Sequence, residues 1–512
     1  MSLVKKLVFR TLLALLLAAA ALLVNTVRQA SVQERYIPAV PTRMVELRPQ
    51  SLERLSAALT FKTISQDPRM LDTAAFDGLL DLLHREFPLT FEHLEEQVFG
   101  SHTLLLKWNG TAQKNRPSAP AINYLFIAHL DVVPVDRQSL SLWSAPPFDG
   151  TIAADERGRV LYGRGALDDK SSALALLESL ESLLASGTFE PQNNLYFCFG
   201  QDEELGGAYG ARQVASYFQE NGIRFESSLD EGGILSLGSI PGLKQTPVAL
   251  IGTAEKGYAS LEIRFDLPGG HSSMPEAESA LTRAAAFVHS LEQEPLFEWE
   301  FAPSLQGFIE HLGPEMPLPL RVVFSNLWLF KPVLFSVYQQ SNVGRALIQT
   351  TVAPTMLSSG VKDNVVPANA RVVCNSRILP GHTIEEVVER YQERAEQFGG
   401  RVQLYGGSES VEASASASTQ HDAFIALGQS IKEEFPDAFI SPYLTIGGTD
   451  SKHFESVCEN SYRFLPLVLT PKEVATIHGT NEAIGEERYH KMIAFYQRIV
   501  QRWAGLSGDP EF

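Results

Sequence analysis

Strand-like apolar runs that stop at an acidic residue or a histidine recur along this chain, and they constrain its fold more than any other feature. Tyr124-Leu-Phe-Ile-Ala128 leads into His129-Leu130-Asp131, and Leu195-Tyr-Phe-Cys-Phe199 leads into Glu203-Glu204. The short run 227–229 leads into Asp230-Glu231, while Asp168-Asp169-Lys170 opens a helical stretch and His478 stands alone. Helical periodicity over 170–186 and 208–220 separates these runs. Strands alternating with helices of that length predict an α/β fold, a mostly parallel sheet covered on both faces. Such sheets keep their chemistry at the strand ends. Carboxylates gathered at the mouths of buried strands are costly unless a positive charge compensates them. Two divalent cations would do that.

A chain of 512 residues is too long for one compact core, so two domains are expected. The rhythm changes at about 257. Residues 258–267 alternate, 279–293 are helical, 370–378 alternate again and 383–397 are helical. That pattern predicts a small α+β domain over 257–408, inserted into a main domain formed by 46–256 and 409–512. The main pattern resumes through 421–434, 462–469 and 486–504. Within the insert, 317–338 is apolar and carries Phe324, Trp328, Phe330 and Phe335. The plain reading is a core helix pair of the insert; the sharper ones are an acyl-chain pocket or a membrane-facing surface.

The net charge of −18, from 42 basic and 60 acidic residues, excludes a nucleic-acid partner that would need a basic face. Three cysteines cannot all pair, and Cys198 and Cys374 lie within strand-like runs, so they read as buried thiols.

Lys5, Lys6 and Arg10 precede the uncharged apolar run 11–24. Its length suits a signal peptide, but the nearest cleavage site, ending at Ala30, places Arg28 where a small residue belongs. An uncleaved anchor over 1–27 with its basic end cytoplasmic is therefore expected, with a linker over 28–45 and an exported body. A cleaved, secreted form is the alternative, and a buried helix of the globular body a third reading.

His129 and Asp131 lie two apart in extended chain and share a side, so an imidazole ligand and an orienting carboxylate are both on offer. Gly163-Arg-Gly-Ala-Leu-Asp168-Asp169-Lys170 places two carboxylates at a helix start. Capping accounts for one of them but not both, and Asp168 is the candidate to bridge two cations. Of Glu203 and Glu204, one can bind metal while the other serves as general base on an activated water.

The ordered set resembles the zinc-dependent carboxypeptidase and aminoacylase family, in particular its N-fatty-acyl-amino-acid synthase/hydrolase and carboxypeptidase S branch. The resemblance runs from about 51 to 504. It includes Ala128-His-Leu-Asp-Val-Val-Pro134, Tyr162-Gly-Arg-Gly-Ala-Leu-Asp-Asp-Lys170, Glu255-Lys-Gly257, Gly270-His-Ser-Ser273, Ser325-Asn-Leu-Trp-Leu-Phe330 and Ile477-His-Gly479. It implies a dinuclear-zinc exopeptidase domain with an inserted lid and dimerisation domain. Two Zn2+ per subunit are implied, one held by His129, Asp168 and Asp230, the other by Asp168, Glu204 and His478. Glu203 would be the general base, Asp131 would orient His129, and a cis Asp168–Asp169 peptide is implied. His453 lies close to His478 in sequence, but only His478 has the Gly and the Asn481-Glu482 that match the family ligand. Thr449 and Asp450 would shape the pocket rim. His271 would reach the active site of a partner subunit and polarise the scissile carbonyl, making a homodimer a partner. Asn364 and Arg377 match a pair that holds the substrate carboxylate, for which the planar Arg fork is suited. The activity implied is hydrolysis, and reverse synthesis, of N-acyl amino acids, most closely N-fatty-acyl amino acids. A carboxypeptidase acting on short peptides is the first alternative, and a non-catalytic binding protein on the same scaffold the distant one.

Overall fold

Three parallel strands form the centre of the main sheet in this computed structural model: Asn194–Gly200, Asn123–His129 and Ser227–Asp230, side by side in that order. The structure describes residues 3–37, 45–67, 71–112, 122–156, 158–406 and 409–506. Every residue of these three strands is buried, which is why they read as unbroken apolar runs. Side-chain alternation splits their contacts between two faces. Phe126 and Phe197 join the helices Lys170–Ala185 and Glu486–Gly505 on one face, with Trp503 over the Phe126 ring. Leu125, Ile127 and Cys198 pack with the helix Ala211–Glu220 on the other. Outward from this centre the sheet turns antiparallel through Thr103–Trp108 and Glu95–Phe99. It is therefore mixed, parallel where the site is built, with antiparallel pairing at this edge and again along Val248–Glu255 on the other side.

A second sheet is antiparallel throughout, in the order Thr351–Ser359, Asn369–Ile378, Gly257–Asp266, Gly400–Leu404. The helices Ala280–Gln293 and Ile384–Glu396 cover one face, and Leu261, Ile263, Phe287 and Tyr391 share its own core. Both helices begin as their sequences demand: Ser279 and Thr282 form a capping box, and the Thr383 hydroxyl accepts from the Glu386 N–H. A separate two-stranded ribbon pairs Gly270–His271 with Val365–Val366.

The main sheet is mostly parallel, as expected. Two other sequence expectations change. The stretch 317–338 is not a core helix pair: it forms Leu318–Ser325 and Leu327–Tyr338, bent by 112° to each other, and Leu334 is the one buried apolar side chain in the second. Of the expected linker 28–45, residues 38–44 lie outside the described residues, and part of the remainder is locked into the core. Tyr36 is buried against Gly428, where any side chain would collide with its ring. The Gln33 amide donates to the Ile440 carbonyl at 2.9 Å and accepts from the Ile440 N–H at 2.7 Å. Cys198, Cys374 and Cys458 are free and buried.

Candidate active site

The three central strands end on one edge of the sheet and set their last side chains down together. His129 closes its strand, the Glu203–Leu205 turn follows Asn194–Gly200, and Asp230 closes Ser227–Asp230. His129 and Asp131 are buried, with His129 Nδ1 at 3.2 Å from Asp131 Oδ1. The two Asp131 oxygens also accept from the backbone N–H groups of Glu203 and Glu204, each at 3.2 Å. One carboxylate thus orients both the imidazole and the acidic turn. His129 then presents Nε2 to Asp168 Oδ1 at 2.9 Å.

Asp168 comes from the loop between Gly158–Tyr162 and the helix Lys170–Ala185. Gly165 in that loop has φ of 85°, and a Cβ there would lie 2.8 Å from Val132, so only glycine lets the backbone pass. The Asp168–Asp169 peptide is cis. With Oδ1 facing His129, Asp168 Oδ2 lies 2.9 Å from His478 Nε2. Two donor groups result, His129 with Asp168 and Glu231, and Asp168 with Glu204 and His478, each with ligand atoms within 4.8 Å of one another. Asp168 belongs to both.

The first donor group contains Glu231, the neighbour of the expected ligand Asp230. Successive residues at a strand end point to opposite sides. Asp230 turns inward, where its carboxylate accepts from the N–H groups of Glu231 at 2.9 Å and Ser451 at 2.8 Å. Glu231 faces the cleft, with Oε1 at 3.5 Å from His129 Nε2. Asp169 also stays outside the donor groups, accepting from the His129 N–H at 3.3 Å and from the Ser172 hydroxyl. It makes no capping bond to the helix it precedes. His453 bonds the Gly206 carbonyl through Nε2 at 2.7 Å, and burial pushes its pKa down to about 4. His478, rather than His453, meets the carboxylates.

His478 has φ of 58°, in the left-handed region where a residue with a Cβ costs about 1–3 kcal/mol. The surrounding contacts hold it there. Glu482, fully buried, accepts from Arg164 at 2.6 Å, from the Leu167 N–H at 2.7 Å and from the Asp168 N–H at 3.2 Å. Arg164 also donates to the Gly479 carbonyl at 3.0 Å. This buried pair fastens the loop of Asp168 to the loop of His478. Sequence reasoning assigned it no role, although each partner stands four residues from its ligand, within a quoted motif or beside it.

The donor set fits divalent cations. Among the described residues Glu204 Oε1 is buried without a hydrogen-bond partner. Burial pushes the Glu203 carboxyl well above the usual range; His129 opposes that shift, and Glu231 and Asp450 reinforce it. Burial likewise raises Glu231, with Asp168 adding to it. Cations here would engage the orphan oxygen and offset the repulsion. Imidazole with carboxylates suits zinc or a similar borderline ion.

A cleft of about 690 Å³ is lined by Glu203, Glu204 and His478 together with the cations Lys256, Arg377 and Lys452. The Arg377 guanidinium stacks 4.8 Å over the Tyr258 ring. Lys256 donates to the carbonyls of Ala346 at 2.8 Å and Gln349 at 2.7 Å, and burial, with Arg377, brings its pKa down to about 7. No role had been assigned to Lys256 beyond its place in a motif. A second pocket of about 310 Å³ opens where Asp168 and Glu231 meet Ile234, Tyr443, Ile446 and Leu465.

The insert residues divide. Arg377 lines the cleft, whereas His271 is exposed on the two-stranded ribbon and Asn364 is exposed in the turn that leads into it. His271 Nδ1 accepts from the Ser273 N–H at 3.1 Å, and the Asn364 carbonyl accepts from the Ser272 N–H at 3.3 Å. Asn364 therefore sits beside His271 and not beside Arg377 within one chain.

Comparison with known proteins identifies the family. Residues 125–502 match the model of peptidase family M20/M25/M40. The chain is 34% identical over 492 residues to a probable carboxypeptidase S-like 2 of Dictyostelium discoideum, covering 94% of this chain and 91% of that protein. It is 34% identical over 456 residues to the N-fatty-acyl-amino acid synthase/hydrolase PM20D1 of Xenopus tropicalis, covering 89% and 86%. The crystal structure of the M20 family metallo-carboxypeptidase Sso-CP2 from Sulfolobus solfataricus superposes with a TM-score of 0.63 at 18% identity, covering 90% of this chain and all of that one. The chain is a metal-dependent hydrolase of the metallo-exopeptidase and amidohydrolase type, and it belongs to peptidase family M20/M25/M40.

Proposed function

We propose that this hydrolase cleaves, and in reverse forms, the amide bond of N-acyl amino acids, with N-fatty-acyl amino acids as its main substrates. One observation carries this reading: the apolar pocket bounded by Ile234, Tyr443, Ile446 and Leu465 opens directly at Asp168 and Glu231, while Arg377 stands on the wall of the adjoining cleft. An acyl chain suits the first and an amino-acid carboxylate the second. The N-fatty-acyl relative supports the same choice.

Two zinc ions would be held by His129, Asp168 and Glu231 and by Asp168, Glu204 and His478; when bound they would polarise the amide carbonyl and acidify a water. Glu203 takes the proton from the attacking water and returns it to the leaving amine. Asp131 keeps His129 in one tautomer and one orientation. Arg377 holds the substrate carboxylate so that the amide carbon meets the water beside Glu203. His271 and Asn364 come from the ribbon of a second subunit, with 257–408 acting as lid and dimerisation domain. The exposed helix Leu3–Arg28, with Lys5, Lys6 and Arg10 near its start, supports a membrane-anchored body outside the cytoplasm, or a secreted one if the segment is cleaved.

The second reading, a carboxypeptidase on short peptides, is supported by the Dictyostelium relative and by Arg377, which would grip any free C-terminal carboxylate. Turnover of an N-oleoyl amino acid against a Gly-X dipeptide separates the two. The proposal expects kcat/KM for the oleoyl substrate to exceed the other by about tenfold or more, the effect of little more than 1.4 kcal/mol of acyl-chain burial. A preference for the dipeptide would replace the first reading with the second.

A further inference from the structure

The helices Leu318–Ser325 and Leu327–Tyr338 leave large apolar side chains bare. Leu318 is 66% exposed, Trp328 64%, Val333 52% and Val337 53%. Their neighbour at the bend is the N-terminal helix, whose own apolar side chains from Leu7 to Val24 are also largely exposed. Asn326 joins the two. It is fully buried, and its Nδ2 donates to the Leu22 carbonyl and the Thr26 hydroxyl at 3.3 Å each, while Oδ1 accepts from Asn25 at 3.1 Å and from Trp328 Nε1 at 3.3 Å. Arg321 donates to the Gln29 carbonyl at 3.2 Å and Ser325 to the Gln29 side chain at 2.5 Å. A buried amide with its hydrogen bonds made fixes a contact tightly, because leaving it unpaired is costly.

We infer that the helix pair 318–338 is a docking surface for a lipid bilayer, resting on the membrane beside the N-terminal helix that crosses it. The N-terminal helix has 26 residues, which at 1.5 Å each gives about 39 Å, more than the roughly 30 Å of a hydrocarbon core. Its apolar run ends at Val24, and the polar clasp occupies 25–29, so the bilayer surface falls at the level of the bend. Trp328 stands at that bend with its N–H bonded and its ring bare, as interfacial tryptophans do. One occupant therefore covers both apolar faces, and an interfacial helix pair of this kind needs no second protein. Behind the bare face, Val323, Phe324, Leu327 and Phe335 share an apolar cluster with Tyr443 and Ile446, which line the pocket at Asp168 and Glu231. Apolar packing is thus continuous from the bilayer face to the pocket; its use by an acyl chain rests on the proposed substrate class, and the docking surface does not.

The test uses the full chain in phosphatidylcholine vesicles with and without brominated acyl chains, reading tryptophan fluorescence of the wild type and of Trp328→Phe. Trp108, Trp143 and Trp503 are buried and Trp299 is partly buried, so the part of the quenching that belongs to Trp328 is the part its replacement removes. Bromination is expected to dim the wild type, and Trp328→Phe is expected to remove that loss. Equal quenching in both proteins would overturn the inference. So would Trp328 shielded from iodide yet untouched by brominated lipid, which would mean that a second copy of the chain covers the face. Neither readout involves substrate, so failure here is distinct from failure of the N-acyl reading.

Discussion

Replacing Glu203 with Gln is expected to lower kcat by about 10²–10⁴-fold, the usual contribution of a positioned general base, while bound metal stays at the wild-type level. The separation follows from the geometry. Glu203 lies on the cleft wall but in neither donor group, whereas its neighbour Glu204 belongs to one of them. The backbone N–H groups of both residues bond the same Asp131 carboxylate, so the turn holds its shape when one side chain becomes an amide. Steady-state kinetics with metal analysis of the same sample checks both halves. Wild-type turnover in Glu203→Gln would contradict the assignment.

Replacing His271 with Ala is expected to lower kcat by about 10²–10³-fold, the range for losing one oxyanion donor. This is a strong expectation for an exposed side chain that bonds Ser273 on its own ribbon and does not line the cleft of its own chain. The proposed second subunit would resolve the discrepancy. Mixing inactive His271→Ala chains with inactive Glu203→Gln chains should then restore activity. With random pairing about half the dimers are mixed and each has one complete site, so about a quarter of wild-type turnover returns. No recovery after verified subunit exchange would place His271 outside the reaction.

The site was legible where its chemistry coincides with a strand end. The buried parallel strands announce themselves as unbroken apolar runs, and each delivers its polar residues where the run stops. The choice between Asp230 and Glu231 was not legible. Adjacent carboxylates differ only in which side of the strand they face, and Asp230 meets the N–H of Ser451, 221 residues away, which no local pattern announces. The Arg164–Glu482 pair was hidden for a similar reason, joining two loops 318 residues apart. Tyr36 looked like linker because one aromatic residue carries no periodicity, and its cavity is made by Gly428. The helices between Pro303 and Ile348 were obscured by being apolar on more than one side. Pro303–Leu312 packs against the main-sheet strand Phe439–Thr445, while the pair beyond it leaves apolar surface bare.

Titration of zinc into chelator-treated protein tests the central claim most directly, because the account rests on two donor groups that share Asp168. Wild-type chain should bind two equivalents, and Glu231→Gln should lose one tight site, since a carboxylate ligand is replaced by a weak one. Asp230→Asn is expected to retain both, because Glu231 and not Asp230 stands in the donor group of the structure. A wild-type stoichiometry below two, or a site lost in Asp230→Asn but kept in Glu231→Gln, would contradict the account.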